Sequence, residues 1–408
     1  MANFSIWTTL IFAAIVIGGV LGVVAYLTLA ERKISAWVQD RFGPNRVGPF
    51  GLLQPIVDGG KMFLKEDVIP KHVDKIFFLL APFVAIATSL AGIAVVPLGP
   101  ASAPPTPQAT IAAYDQSQQA YQSGFHVVIN PGLDVGILYT FAIGSLAVYA
   151  VILAGWSANN KYGLLGSLRS SAQIISYEIP LGMSILSILL FAGSLNLETI
   201  VSGQEGGKWN VWFHPLAFLL FLTAAAAECS RLPFDLPECE QELVGGYHTE
   251  YSSLKLGMLL LAEYAHLITS CFMMSVIFFG GWKFFGLESL TGSTTVNALI
   301  GVGILATKML LFIAMFMMVR WTIPRFRFDQ LMNLAWKVMI PLAILNLVGA
   351  MIVRQFGLPM WSMTIISVGL FLAAGVWGLL TNNSITVPRR VVPPQRPGLQ
   401  AGVSYAAR

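Results

Sequence analysis

The chain is 408 residues long, 56% hydrophobic and only 11% charged, with a formal net charge of +4. Soluble domains carry roughly 25% charged residues, and no water-exposed fold could bury this much apolar surface. Composition therefore excludes a soluble domain and points to a bilayer as the solvent.

The apolar stretches are continuous rather than alternating, which predicts an all-α polytopic bundle and not a barrel. A crossing takes about 20 residues at about 1.5 Å each. About nine spans are predicted, near 6–30, 76–98, 134–156, 173–194, 213–229, 254–281, 297–321, 334–354 and 359–381. The fifth is the shortest and a tight turn joins the last two, so eight is the alternative. Residues 1–381 read as a single transmembrane domain without internal repeats, and 382–408 as a Pro/Arg-rich tail, extended or disordered. No Lys or Arg precedes the first long apolar run, which argues against a cleaved signal peptide and for an outward N-terminus.

Charge placement supports that orientation. The 31–75 loop holds Arg32, Lys33, Arg41, Arg46, Lys61, Lys65, Lys71 and Lys75. Arg231 and Lys255 edge a second connection on the same side, Arg320, Arg325, Arg327 and Lys337 a third, and Arg389, Arg390, Arg396 and Arg408 lie in the tail. The outward side shows Lys208, Lys283 and Arg354, and the long 99–133 loop has no Lys or Arg. The positive-inside rule then puts the N-terminus outside and the C-terminus in the cytoplasm.

Two cytoplasmic connections differ from ordinary loops. Gln54, Asp58, Lys61 and Lys65 recur at helical spacing among Leu52, Leu53, Ile56, Met62, Phe63 and Leu64, which predicts an amphipathic interfacial helix. Such a helix either anchors the surface or lines a cavity at the membrane edge. Before it, the Gly-Pro breakers of Arg41–Pro49 predict a fixed irregular turn. In the 230–253 loop, Asp235, Glu238, Glu240 and Glu242 crowd into eight residues, with Glu250 beyond. Like charges this close titrate as a coupled set. The alternative is a solvated acidic loop, which the interleaved Leu232, Pro233, Phe234, Leu236 and Pro237 disfavour.

Ionisable residues inside spans are costly and mark functional candidates. They are Glu178, Glu228, Glu263, His266 and Lys308. Glu178 precedes Pro180, where a kink can admit water. The three glutamates fall in the cytoplasmic half, Glu263 about 13 Å into its helix. Together they suggest a proton path, against the plainer reading of helix–helix hydrogen bonds. His266, one turn from Glu263, is expected to satisfy that carboxyl, and Lys308 either pairs with a buried carboxylate or serves as a functional charge. Cys229, Cys239 and Cys271 lack metal-binding spacing. No phosphate loop, redox motif or nucleic-acid module is present.

Several segments resemble, in order, the membrane subunit of respiratory complex I (NADH:quinone oxidoreductase) known as the H type in bacteria and as subunit 1 in mitochondria. They are Glu31-Arg32-Lys33, Arg41–Pro49, Gly51–Pro55, Ser176-Tyr177-Glu178, Arg231–Glu238, Glu240–Tyr247 and Ala262-Glu263-Tyr264, within roughly 31–330. The resemblance implies a translocase subunit of a bacterial-type inner membrane. It would form the entrance and wall of a quinone chamber and dock the peripheral arm. Gln54, Asp58, Lys61 and Lys65 would line the entrance. Arg32, Arg41 and Arg46 would hold the first loop, and Arg231, Phe234 and Asp235 would shape the chamber. Glu238, Glu240, Glu242 and Glu250 would connect the chamber to a membrane route through Glu228, Glu178 and Glu263. It implies no cofactor bound by this chain. The substrate would be a quinone (ubiquinone or menaquinone), with FMN and iron–sulfur clusters in partner subunits and other membrane and peripheral subunits as neighbours. Cys239, the long 99–133 loop, the tail and Lys308 match no family feature. The equivalent subunit of an energy-converting hydrogenase or another donor–quinone complex is the alternative. A stand-alone proton-coupled transporter, which predicts paired broken-helix halves, and a pure scaffold are less well matched.

Overall fold

The computed structural model describes residues 6–99, 128–129, 133–235, 244–287 and 294–382. The first apolar run forms α1 (Ile6–Val38). It stops where the Gly-Pro segment begins, and the backbone turns with Arg41 N–H on Ala36 O. The turn is fixed as expected: Gly51 has φ 78°, and a Cβ there would meet Pro44 O at 2.2 Å. The amphipathic segment is α2 (Gln54–Leu64), with Pro55 in its first turn, packed against α1 and α9 (Ser253–Phe278). Asp74 caps α3 (Lys75–Ala91) through Ile76 N–H. Next come α4 (Gly136–Ser157) and α5 (Lys161–Ala192), the latter capped by Asn160 and closed by Gly193 at φ 67°.

A short α6 (Leu197–Ser202) leads to α7 (Asn210–Phe213) and α8 (Pro215–Glu228). The helical stretch Glu205–Phe213 bends by 72° into α8 where Pro215 interrupts the ladder. After α9 come α10 (Thr294–Thr322), α11 (Phe328–Asn333), a π-helical turn at Leu334–Met339, α12 (Ile340–Gln355) and α13 (Trp361–Asn382). Among the described residues, 8 helices are long and apolar enough to cross a membrane, or 9 if the bent pair is one span.

α9 is the hub. Its apolar window is 72% buried, against 11% for α13, so α13 is the periphery. α9 packs on α1, α2, α3, α8 and α10, while α5 packs on α4, α8 and α12. In lipid, helices associate through close packing and polar contacts rather than apolar burial. The sequence provides for this: α8 runs through Ala224, Ala225, Ala226 and Ala227, all buried. α4 meets α5 so closely that a Cβ on Gly155 would lie 2.2 Å from Ser167 Oγ.

The loops gather at two faces. One holds the 39–74 connection, the 158–160 turn, residues 229–235, 244–252 and 323–327, tied together by Asp74 N–H to Ser157 O (3.1 Å), Asn159 Nδ2 to His72 O (3.1 Å) and Phe326 N–H to Pro233 O (3.2 Å). At the opposite face, Ile137 N–H reaches Leu195 O, and Asn210 Nδ2 reaches Ile277 O at 2.8 Å.

Candidate functional site

The first of these faces carries most of the candidates. Asp58 on α2 is a local hub: Arg32 Nη1 lies 2.7 Å away, Gln54 Nε2 donates at 2.8 Å, and Lys61 approaches to 3.9 Å. Arg32 is half exposed, so this pair orients α2 more than it stabilises it. The far end of α2 is held by Ser253 Oγ, which donates to Met62 O (2.8 Å) and Lys65 O (2.9 Å). Just beyond, buried Lys255 pairs with Asp67 at 2.9 Å. With both ends fixed, α2 presents exposed Leu53, Ile56, Phe63 and Leu64. The Lys65 side chain is exposed, as are Arg41 and Arg46, and Arg41 Nε donates to Gln39 at 2.7 Å.

Deeper in, a charge knot joins α1, α9, α10 and the segment after α8. Buried Glu31 accepts from Tyr264 OH and pairs with Arg320 and, at 3.5 Å, with Arg231. The Arg231 guanidinium lies 4.0 Å from the Tyr264 ring centroid, a cation–π contact. Four residues beyond Arg231, buried Asp235 takes Arg325 at 3.0 Å. Phe234 sits between Tyr177 (5.7 Å) and Phe326 (5.6 Å). Gln173 Nε2 bridges Ala227 O (2.7 Å) and Phe234 O (2.8 Å). Arg231–Asp235 is thus a packed wall. Glu238, Glu240 and Glu242 lie outside the described residues.

The hydrogen-bond partners of the membrane carboxylates are uncharged or titratable, while the Arg231 charge also acts on Glu263. Glu263 accepts from Tyr247 OH at 2.8 Å, with His248 Nε2 at 3.9 Å. Burial pushes His248 down to about 4, so its imidazole is neutral near pH 7. Burial also raises Tyr251, to about 12, where it stacks on Phe78 at 4.2 Å. Glu178 accepts from Ser145 Oγ. Glu250 accepts from Asn160 Nδ2 (2.9 Å) near the half-exposed His72 (3.9 Å). The expectation that His266 satisfies Glu263 is corrected: His266 Nε2 lies 3.3 Å from Glu228 Oε1 on α8, and Glu263 turns toward the 247–248 segment instead.

Glu228 and Glu263 are brought together. Two adjoining small cavities share Ser89, Gly144, Glu228 and His266 in their walls. The second also takes in Tyr247 and Glu263, whereas the first runs on past Thr88, Thr140, Thr269 and Ser270. Glu178 lines neither, although its partner Ser145 adjoins Gly144.

Lys308 on α10 reaches the segment that follows α9. Its ammonium donates to Phe279 O (2.7 Å), Gly281 O (2.8 Å) and Lys283 O (2.7 Å), with the Trp209 ring 5.1 Å away. Those carbonyls follow the end of α9, where a cation complements the helix dipole. Among the described residues, no group of three or more His, Cys, Asp or Glu is disposed to hold a metal ion.

The residues that sequence reasoning left without a role are Glu31, Tyr264, Arg320, Arg325, Tyr247 and Gln173. Glu31 and Tyr264 stood within the quoted motifs, and Arg320 and Arg325 were counted only as loop charge.

A family model described as NADH dehydrogenase matches residues 11–351. The first of the H-type NADH-quinone oxidoreductase subunits of Cytophaga hutchinsonii is 46% identical over 328 residues, 80% of this chain and 91% of that protein. The second H-type subunit of Geobacter metallireducens is 46% identical over 332 residues, 81% and 90% of the respective chains. NADH-quinone oxidoreductase subunit 8 of Rhodothermus marinus is 42% identical over 353 residues, 84% and 95%. With the family model covering most of the chain and these identities over four-fifths of it, this protein belongs to the family of H-type NADH-quinone oxidoreductase subunits.

Proposed function

We propose that this chain is the membrane subunit that forms the quinone entrance and chamber wall of a proton-pumping NADH:quinone oxidoreductase. In this reading it sits in a bacterial inner membrane with its N-terminus outside and the basic-loop face in the cytoplasm, against the peripheral arm. The observation that carries the reading is the sequence of environments at that face. An anchored amphipathic helix is followed by an Arg-balanced wall, and then by carboxylates lining cavities within the bundle.

α2, with Gln54, Asp58, Lys61 and Lys65, would border the entrance, its apolar side chains meeting the quinone tail. Arg32, Arg41 and Arg46 would hold the first loop toward the peripheral subunits. Arg231, Phe234 and Asp235 would form the wall. FMN and iron–sulfur clusters of partner chains would supply the electrons. Reduction of a quinone takes two electrons and two protons, so charge changes in the chamber while it proceeds. Glu238, Glu240, Glu242 and Glu250 would pass that change on to Glu263, Glu228 and Glu178 by electrostatic coupling.

The test is Asp235→Asn in the assembled complex, which removes the charge facing Arg325 at nearly constant shape. The expected outcome is impaired NADH–quinone reduction with NADH oxidation by an artificial hydrophilic acceptor intact. Unchanged quinone kinetics would overturn the assignment of this wall to the chamber.

A further inference from the structure

We propose that His266 carries a proton: with Glu228 it forms a His–carboxyl pair linking the cavity at Glu263 to the hydroxyl-lined cavity beyond. The inference rests on the proton-translocating reading above.

Placement is the first argument. His266 and Glu228 stand in the walls of both cavities, and Nε2 lies 3.3 Å from Oε1. The pair therefore stands at the boundary between the two spaces, together with Ser89 and Gly144. The walls of that space are the second argument. Thr88 Oγ1 donates to Val84 O, Ser89 Oγ to Ala85 O, Thr140 Oγ1 to Gly136 O and Thr269 Oγ1 to Ala265 O. With their protons spent on their own helices, these hydroxyls offer acceptor lone pairs to the cavity. Acceptors of this kind suit a protonated donor at the boundary and the waters that would relay from it.

The third argument is charge. A neutral carboxyl beside a neutral imidazole, and a carboxylate beside an imidazolium, both hold one proton at zero net charge. Transfer from Glu228 Oε1 to His266 Nε2 moves one proton, alters no heavy-atom bond and buries no net charge. A second proton raises the pair to +1, which low-dielectric surroundings oppose. Arrival on one side thus favours release on the other.

Among the described residues, the other titratable and polar groups around the imidazole are the following. Glu263 lies one turn earlier on α9 and is held by Tyr247, with His248 beside it. Cys229 follows Glu228, and Glu178 is held by Ser145 next to Gly144 on α4. Thr88 and Ser89 are the polar groups from α3. Glu31 of α1 is taken by Tyr264, two positions away and so on another side of α9.

The experiment compares His266→Asn and Glu228→Gln in the intact complex. It measures NADH–quinone turnover, proton pumping into vesicles, the pH profile of turnover and, for assembly, NADH oxidation by an artificial acceptor. Asparagine keeps a donor and an acceptor but cannot titrate. The expected result is artificial-acceptor activity retained, coupled turnover lowered at least about tenfold, and one titration missing from the pH profile. Full turnover with an unchanged profile in His266→Asn, while Glu228→Gln is impaired, overturns the role of His266 and leaves the carboxylate route standing. Full pumping in both variants removes the carboxylate route itself. If His266→Asn fails to assemble, the near-isosteric pair Thr88→Val and Thr269→Val decides. Lowered pumping supports passage through the hydroxyl-lined cavity, and full pumping overturns it.

Discussion

Two sets of acids, one fully and one partly buried, differ in the partners that hold them. Glu31 and Asp235 are matched by guanidinium groups, Arg231 and Arg320 for the first and Arg325 for the second. Glu263, Glu178 and Glu250 take hydrogen bonds from a phenol, a hydroxyl and an amide, and Glu228 faces an imidazole. Arginine stays charged at any physiological pH, so it locks its partner as a carboxylate. A phenol, hydroxyl or amide bonds to a carboxyl group in either protonation state. In the proposed reading, the first set holds charge still and the second lets protons come and go.

Removing an acid from each set should separate these roles. Glu31→Gln removes the carboxylate that Arg231 and Arg320 share. Breaking a buried pair costs about 3–5 kcal/mol, and Arg320 is one-third exposed, so a loss of about 3–4 kcal/mol is expected. Thermal unfolding of the purified complex would show it, together with a low yield of assembled enzyme. A Glu31→Gln complex with wild-type stability would break the comparison at its charged end.

Lys308→Met extends the test to the opposite face, where one cation is held by three backbone carbonyls. Methionine keeps the apolar stem and loses the donors, so a loss of about 2 kcal/mol in stability is expected. Turnover per assembled complex should hold. A large fall in turnover at normal stability would show that Lys308 acts on the chemistry and not on the end of α9.

Glu263→Gln probes the exchangeable set. The amide can still accept from Tyr247, so assembly should be normal, while NADH–quinone turnover and pumping fall about tenfold, or about 1.4 kcal/mol of barrier. Full pumping would place Glu263 with the static acids.

The contrast between the two sets was only half legible in the sequence. Long apolar runs mark nearly every span, because a bilayer tolerates little else. The start of α5 was missed by a dozen residues. It begins at Lys161 rather than 173, since Arg169 and the serines break the hydropathy. The helix continues through them because Ser167 and Ser171 donate to their own backbone and Arg169 lies over Phe328 at 5.8 Å. Glu178, Glu228 and Glu263 stand out because a charge inside an apolar run is conspicuous by itself. Their partners do not. Glu31 and Arg320 are far apart in the sequence, each at the polar end of a span, where either reads as an interfacial charge. Lys308 pairs with backbone carbonyls, which leave no trace in a residue pattern. The change of direction at Pro215 was likewise visible only as an unusually short span.

His248 gives the smallest and most specific test, because it is a neutral group beside an exchangeable acid. Its folded-state value is about 4, against about 6.5 in the unfolded state. The unfolded state therefore binds the proton first as pH falls. The stabilisation is complete above about pH 6.5 and is lost progressively down to about pH 4. Between about pH 7 and pH 6 the loss should be about 0.7 kcal/mol, a shallow slope in the unfolding temperature of the complex. His248→Gln should flatten that slope, since the amide does not titrate. If the slope survives the substitution, His248 is charged in the folded protein and pairs with Glu263 as an ion. Glu263 would then belong with the acids that hold charge still, and the division between the two sets would run above it rather than below.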